Sequence, residues 1–185
     1  MDRAVKDITL LERFVLNFVR VVEKHARYIV VSGFVVIAHG RARGTEDIDM
    51  ILERIPKSRF LKLHRALGLA GFQCVQTSSG TDVYDRYLAD NLSIRYVLKG
   101  TFVPEMEVKF AKDELDNYQL GTRKKIPLTG LDIYYSSIEA NIAFKEELLK
   151  SEKDMEDAKH LREVYKDGVS EQEINHIKKM IRKLR

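Results

Sequence analysis

Residues 45 to 52 read Thr-Glu-Asp-Ile-Asp-Met-Ile-Leu, and no other stretch constrains the fold of this chain as strongly. The apolar half asks to be buried as a strand. The two-residue period of a strand then sends Asp47 and Asp49 to one face and Ile48 and Met50 to the other. A carboxylate drawn into an apolar strand is costly unless a cation or donor meets it. Either the two acids face solvent on the open side of a half-buried strand, or together they hold a metal. Side by side they repel each other unless a divalent cation lies between them. Mg²⁺ (or Mn²⁺) suits such hard oxygen ligands and keeps waters and substrate phosphates in its shell.

Two-metal phosphoryl chemistry commonly needs a third carboxylate, for the ion that activates the attacking oxygen. The segment "EMEVKF" supplies Glu107 between Met106 and Val108, again opposite in facing to its apolar neighbours. Glu105 shares that face and is the competing choice.

With 185 residues, 44% hydrophobic and 32% charged, the chain is expected to form one ordered compact domain with room for a small appendage. No apolar run approaches the roughly 18 residues of a membrane span. Charges are mixed into "MDRAVKDITLLERF" from the start, so no secretory signal and a cytoplasmic location are expected. A single cysteine, Cys74, excludes an internal disulfide and a cysteine-rich zinc site. The net charge of +4 suits a polyanionic partner without requiring one. Two basic clusters stand out, "TRKK" at 122–125 and the tail "HIKKMIRKLR". The tail reads as an amphipathic helix with Ile174, Ile177, Met180, Ile181 and Leu184 packing inward. No aromatic interleaves its basic residues, as a single-strand stacking platform would need.

Apolar residues at three- and four-residue spacings (Ile8, Leu11, Phe14, Val15, Phe18, Val21, Val22) predict a helix over 3–26. "YIVV" then reads as a buried strand. "FVVIAHG" fits strand or helix by periodicity, and is read as a helix from the Ser32-Gly33 turn to Gly40. A strand at "DIDMILE", a helix at "SRFLKLHRALGLAG" and a strand at "FQCVQT" follow, then a loop at "SSGTD". "LSIRYVLKG" and "MEVKFA" are strands, joined by the polar stretch "KDELDNYQLGTRKK" to "IPLTGLDIYY". From Ile138 onward only helices are expected. The fold class is therefore α/β (α+β), a mixed sheet flanked by helices. A core over 1–130 is followed by a helical C-terminal lobe over 131–185.

Taken together, Ser32-Gly33, a spacer of thirteen residues and Asp47-Ile48-Asp49, followed by an apolar-acid-apolar strand, resemble the polymerase-beta-like nucleotidyltransferase superfamily. Within it, "RGTEDIDM" is similar to the Arg-x-Thr/Ser-x-Asp-x-Asp signature of AbiE-type toxins and related minimal nucleotidyltransferases. "IEANIAFKEELLKSEKDMEDAKHL" resembles the later motif of those proteins, a helical lysine followed by Lys/Arg-Asp-x-x-Asp. Two positions depart from the pattern. Ser32 stands where a glycine is usual, and the third acid is a glutamate where an aspartate is commoner.

The resemblance implies the nucleotidyltransferase fold and Mg²⁺-dependent transfer of a nucleoside monophosphate from a nucleoside triphosphate to a hydroxyl. Asp47, Asp49 and Glu107 would be its metal ligands. Ser32, Gly33, Arg43, Lys145, Lys153 and Asp157 would bind the nucleotide. Each also has a plainer reading. Gly33 makes a turn, Arg43 is a solvated loop arginine and Lys145 a surface lysine. Ser151 and Asp154 form a helix-start cap, with Asp157 one turn on. Thr45 is expected to brace the strand start, and His39 to end a helix. The acceptor stays open among an RNA such as tRNA, a protein and a small molecule, as does a cognate antitoxin partner. Two rivals stand beside the enzyme: a binding module that keeps the fold without turnover, and a basic RNA-binding protein whose acids are incidental.

Overall fold

The computed structural model describes residues 8–42, 44–45 and 47–184. The first helix, α1 (Leu10–Val22), begins at a reciprocal cap. The Thr9 hydroxyl accepts from the Glu12 backbone N–H, and the Glu12 carboxylate accepts from that of Thr9. It buries Phe14, Val15, Phe18 and Val22 of the expected stripe, and Val19 with them, while Val21 is only half-buried. The part of the expected helix before residue 8 lies outside the described residues.

The chain continues through β1 (Tyr28–Val31), α2 (Gly33–Ala38), β2 (Asp47–Leu52), α3 (Lys57–Leu69) and β3 (Phe72–Cys74). A single turn, α4 (Gly80–Val83), leads to β4 (Ile94–Leu98), β5 (Glu105–Phe110), α5 (Glu114–Gly121), β6 (Lys124–Lys125) and β7 (Tyr134–Tyr135). Helices α6 (Ile138–Phe144), α7 (Glu152–Val164) and α8 (Glu171–Lys183) complete it. Among the described residues, seven strands form one mixed sheet in the order β3-β4-β5-β2-β1-β7-β6. β2 runs parallel to β5 and β1 to β7; the other neighbours are antiparallel.

One face of the sheet carries the main core, where Ile48, Met50, Met106 and Val108 meet Phe14, Phe18 and Phe72. Phe72 packs edge-on against both Phe14 and Phe18. The other face carries, among the described residues, a small apolar cluster of Ile29, Ile51, Ala111 and Leu120, with Val31 against it. This second face is the one to which strand alternation sends Asp47 and Asp49.

Three segments differ from the sequence expectation. "SSGTD" is not all loop: the Ser79 hydroxyl accepts from the Asp82 N–H and starts α4, which runs on as a wide turn through Leu88. The polar stretch after β5 holds α5, started by the Asp113 side chain accepting from the Asp116 N–H. Its two leucines, Leu115 and Leu120, stand five apart, so helical apolar spacing does not reveal it. The sheet also runs past residue 130, because Tyr135 pairs in parallel with Val30.

The helices after Ile138 form as expected. Ser137, Ser151 and Ser170 each cap one by accepting a backbone N–H. α8 buries Ile174, Ile177 and Ile181, whereas Leu184, expected to pack, is half-exposed beyond the end of the helix. The charge of the tail is partly matched: Lys178 pairs with Glu146 at 2.6 Å and Arg182 with Glu147 at 2.8 Å. Among the described residues, no helix is long and apolar enough to cross a membrane.

Candidate active site

Strand alternation divides β2 as its sequence predicts. Ile48 and Met50 are fully buried, Asp47 is exposed and Asp49 is half-buried on the opposite face. Parallel pairing with β5 sets Asp47 beside Glu105 and Asp49 beside Glu107. Four carboxylates thus line one face of two adjacent strands, where like charges directly opposite are destabilising. The pairing also separates the two glutamates. Glu105 pairs with Arg95 at 3.4 Å, while Glu107 lines a cavity with Asp49.

That cavity, of about 250 Å³, lies between the acidic face and the helices that cover it. Lys109 belongs to its wall, two residues beyond Glu107 on the same face of β5, with Asp116 of α5 at 3.7 Å. Gln119, Asn141, Lys145 and the apolar Phe144 and Leu148 close the far side.

Ser32 enters from β1. Antiparallel register pairs Val31 with Asp49, so the turn that follows β1 begins beside the acid, and the Ser32 hydroxyl hydrogen-bonds it. Ser32 has φ 65° and ψ −136°, a conformation that favours glycine. This gives the Ser32 departure a structural cost, since such a backbone is strained for a residue with a Cβ. Gly33 is buried as the first residue of α2 and does not line the cavity.

Asp49 holds its proton above the usual carboxylate range. Burial is the main cause, the Ser32 hydroxyl opposes it, and repulsion from Glu107 and Asp47 adds to it, with Lys109 a smaller opposing charge. The charges of Glu107 and Asp47 are therefore near enough to act on Asp49.

Lys145 is almost fully buried where α6 widens into its last turn, and its ammonium reaches Asp157 at 2.8 Å and Asp154 at 3.4 Å. Asp157 is completely buried and also accepts from Arg41, which donates further to Glu156 and to the carbonyl of Lys153. Asp157 therefore stands behind Lys145 as its counter-charge, outside the cavity wall. The Lys153 side chain is exposed and off that wall as well. Arg43 lies outside the described residues.

No protein-family model and no curated protein matches this chain. Among solved structures, the antibiotic-resistance factor ANT(2'')-Ia is similar with a TM-score of 0.56 and 11% identity, covering 96% of this chain and 94% of that one. An antigenic nucleotidyltransferase-like protein from Paracoccidioides brasiliensis is similar with a TM-score of 0.54 and 16% identity, over 94% and 88%. The chain has the nucleotidyltransferase fold.

Within this nucleotidyltransferase fold, strand register brings Asp49 and Glu107 to neighbouring positions, about 4.8 Å apart across the ladder. Among the described residues, no three His, Cys, Asp or Glu side chains are arranged to hold one metal ion. Thr45 braces the start of β2, its hydroxyl donating to the Asp47 carbonyl at 2.8 Å. His39 ends α2, with Nδ1 against the Val35 carbonyl, and burial holds its imidazole toward the neutral form.

Sequence reasoning did not single out Lys109, Asp116, Gln119 or Arg41. Lys109 was within reach of it, since it follows Glu107 by two in an alternating strand. The α5 pair and Arg41 carry no such signal, because their places are set by packing between segments far apart in sequence.

Proposed function

We propose that this protein is a nucleotidyltransferase that moves a nucleoside monophosphate from a nucleoside triphosphate to an acceptor hydroxyl. The observation that carries the reading is the register of Asp49 with Glu107, beside the Ser32 turn and open to the cavity.

The donor chemistry fits Mg²⁺ or Mn²⁺: hard carboxylate oxygens, crowded enough that burial and mutual repulsion lift the pKa of Asp49. Asp47, Asp49 and Glu107 would hold the ions, which when bound supply charge neutralisation at the triphosphate. Ser32 and the backbone N–H groups of the turn at Gly33 would bind phosphate oxygens. Lys109 and Lys145 would offset the remaining negative charge, with Arg43 as the sequence resemblance implies. Lys145 keeps its aim through Asp157 and Asp154, and Lys153 would reach the nucleotide only from the rim. Glu107 would take the proton as the acceptor oxygen bonds to the α-phosphorus. The bond to the β-phosphate then breaks and pyrophosphate leaves.

The acceptor follows from resemblance. Likeness to AbiE-type toxins favours an RNA such as tRNA or a protein, a cytoplasmic setting and a cognate antitoxin. The similarity to an antibiotic-resistance factor adds a small-molecule hydroxyl. A second reading, a binding module without turnover, is favoured by one observation, the absence of a converged three-donor set among the described residues.

The test is to incubate the protein with Mg²⁺ or Mn²⁺ and each α-labelled nucleoside triphosphate, with total tRNA, with a hydroxyl-bearing antibiotic, or alone. Asp47→Asn/Asp49→Asn is the control. Label transferred by the wild type and lost in the double variant supports the enzyme. No transfer and no metal-dependent nucleotide binding sinks it. Metal-dependent binding without transfer to any acceptor favours the module.

A further inference from the structure

A second groove, of about 790 Å³, opens at the other end of the strands that carry the acids. Register makes the separation explicit. Val31 pairs with Asp49 at one end of β1, and Tyr28 pairs with Leu52 at the other, where Arg27 and Glu53 form part of the groove wall.

The wall holds six cations, Lys24, Arg27, Arg59, Lys62, Arg123 and Lys125, against two acids, Glu23 and Glu53. That excess of four equals the formal net charge of the whole chain, +4, so the charges of the other residues sum to zero. Arg123 and Lys125 come from the "TRKK" cluster. Both acids are engaged: Glu53 with Arg27 at 2.8 Å, Glu23 with the Tyr28 hydroxyl at 3.0 Å. Lys125 pairs with Asp132. Lys24, Arg59 and Lys62 are exposed and make no ion pair within 4 Å among the described residues, although the Arg59 charge also acts on Glu53. α3, thirteen residues long, also begins at this groove, with no side chain capping its start.

We propose that this groove binds the phosphodiester backbone of a polynucleotide. Its cations come from the end of α1, from α3 and from the β6 segment, spread along one open groove. A string of phosphates satisfies that spread better than one compact anion. Tyr134, the aromatic ring of the wall, is covered by Arg123 at 4.1 Å and Lys125 at 4.8 Å, so the ring serves the cations rather than a stacked base. Recognition is through the backbone and independent of sequence. The proposal does not depend on the carboxylate site being catalytic.

The experiment is fluorescence anisotropy of the full chain with a labelled RNA of about 12 nucleotides and the matching DNA, repeated from about 50 to 200 mM salt. Three free cations, each meeting one phosphate, give a slope of log affinity on log salt of roughly −2, at about 0.7 per phosphate for a single strand. Arg59→Glu/Lys62→Glu is expected to weaken binding at least about 10-fold and flatten that slope, with an unchanged melting temperature. Lys179→Glu/Lys183→Glu, the same charge change on the tail helix, is expected to bind far more like the wild type. RNA bound above DNA assigns the ligand to RNA, and equal binding to either strand. The proposal is overturned by absence of binding at low salt, by wild-type binding in the groove variant, or by an equal loss in the tail variant. Tripolyphosphate bound as tightly as the oligomer would also overturn it, in favour of a small-anion site.

Discussion

Asp49 on β2 and Glu107 on β5 are register partners across a parallel strand pair, both turned to the thinly covered face of the sheet. Two acids fifty-eight positions apart in sequence become neighbours through that pairing, and the physical behaviour of the site follows from their closeness.

Asp49 binds its proton more tightly in the folded chain than in the unfolded one, with burial as the leading cause. Its ionised form therefore opposes folding above the folded pKa. That penalty disappears below the unfolded value of about 3.9, so this contribution to stability improves as pH falls through the window. Asp49→Asn removes the penalty. At neutral pH without divalent ions the variant is expected to melt no lower than the wild type, and any Mg²⁺-dependent rise in melting temperature should vanish with it. Transfer activity should fall by about 100-fold or more. A wild-type response to Mg²⁺ in the variant would remove Asp49 from the metal site.

Ser32 carries a side chain on a glycine-favouring backbone, and its hydroxyl bonds Asp49. Ser32→Ala keeps the strain and loses the hydroxyl; Ser32→Gly loses both. Strain of this kind is worth about 1–3 kcal/mol. Urea unfolding should therefore find Ser32→Gly more stable than Ser32→Ala by about 1 kcal/mol, although alanine is ordinarily the stiffer and more favourable residue. The reverse order would mean that the turn opens differently in solution.

Lys145 and Asp157 form an ion pair with both partners buried. Removing one leaves the other charge without its nearest compensation. Asp157→Asn should cost about 3–5 kcal/mol in urea unfolding. Lys145→Met/Asp157→Leu should recover part of that loss, since Arg41 still lacks Asp157 and keeps Glu156, while leaving transfer defective if the ammonium serves the triphosphate. Full activity in the double variant would confine the pair to a structural role.

Glu146 joins the end of α6 to α7 and α8 through Arg162 and Lys178. Burial alone would raise its pKa, but the hydrogen bonds and charges of those two partners outweigh it and hold the carboxyl below the usual glutamate range. The stabilisation is thus present above the unfolded value of about 4.3 and lost as pH falls through the folded pKa. Glu146→Gln should lower stability at neutral pH and flatten the acid side of the stability profile. Amide exchange in α8 should quicken before exchange in the sheet.

The local sequence was sufficient for whatever depends on neighbours along the chain. Alternation decided that Asp47 and Asp49 share a face opposite Ile48 and Met50, the Ser151 cap marked the start of α7, and apolar spacing marked the tail helix. The tertiary structure alone decided the rest. Glu105 and Glu107 are equivalent by alternation, and only the parallel register sets Glu107 beside Asp49 at the cavity while Arg95 takes Glu105. Lys145 reads as a surface lysine until α7 brings Asp157 and Asp154 against it. Arg123 and Lys125 read only as part of a basic cluster until the fold sets them in the wall of one groove with Arg59 and Lys62. The reason is the same in each case. Side-chain direction is a local property of φ and ψ, whereas counter-charge, burial and shared cavities belong to residues brought together by strand pairing and helix packing across the fold.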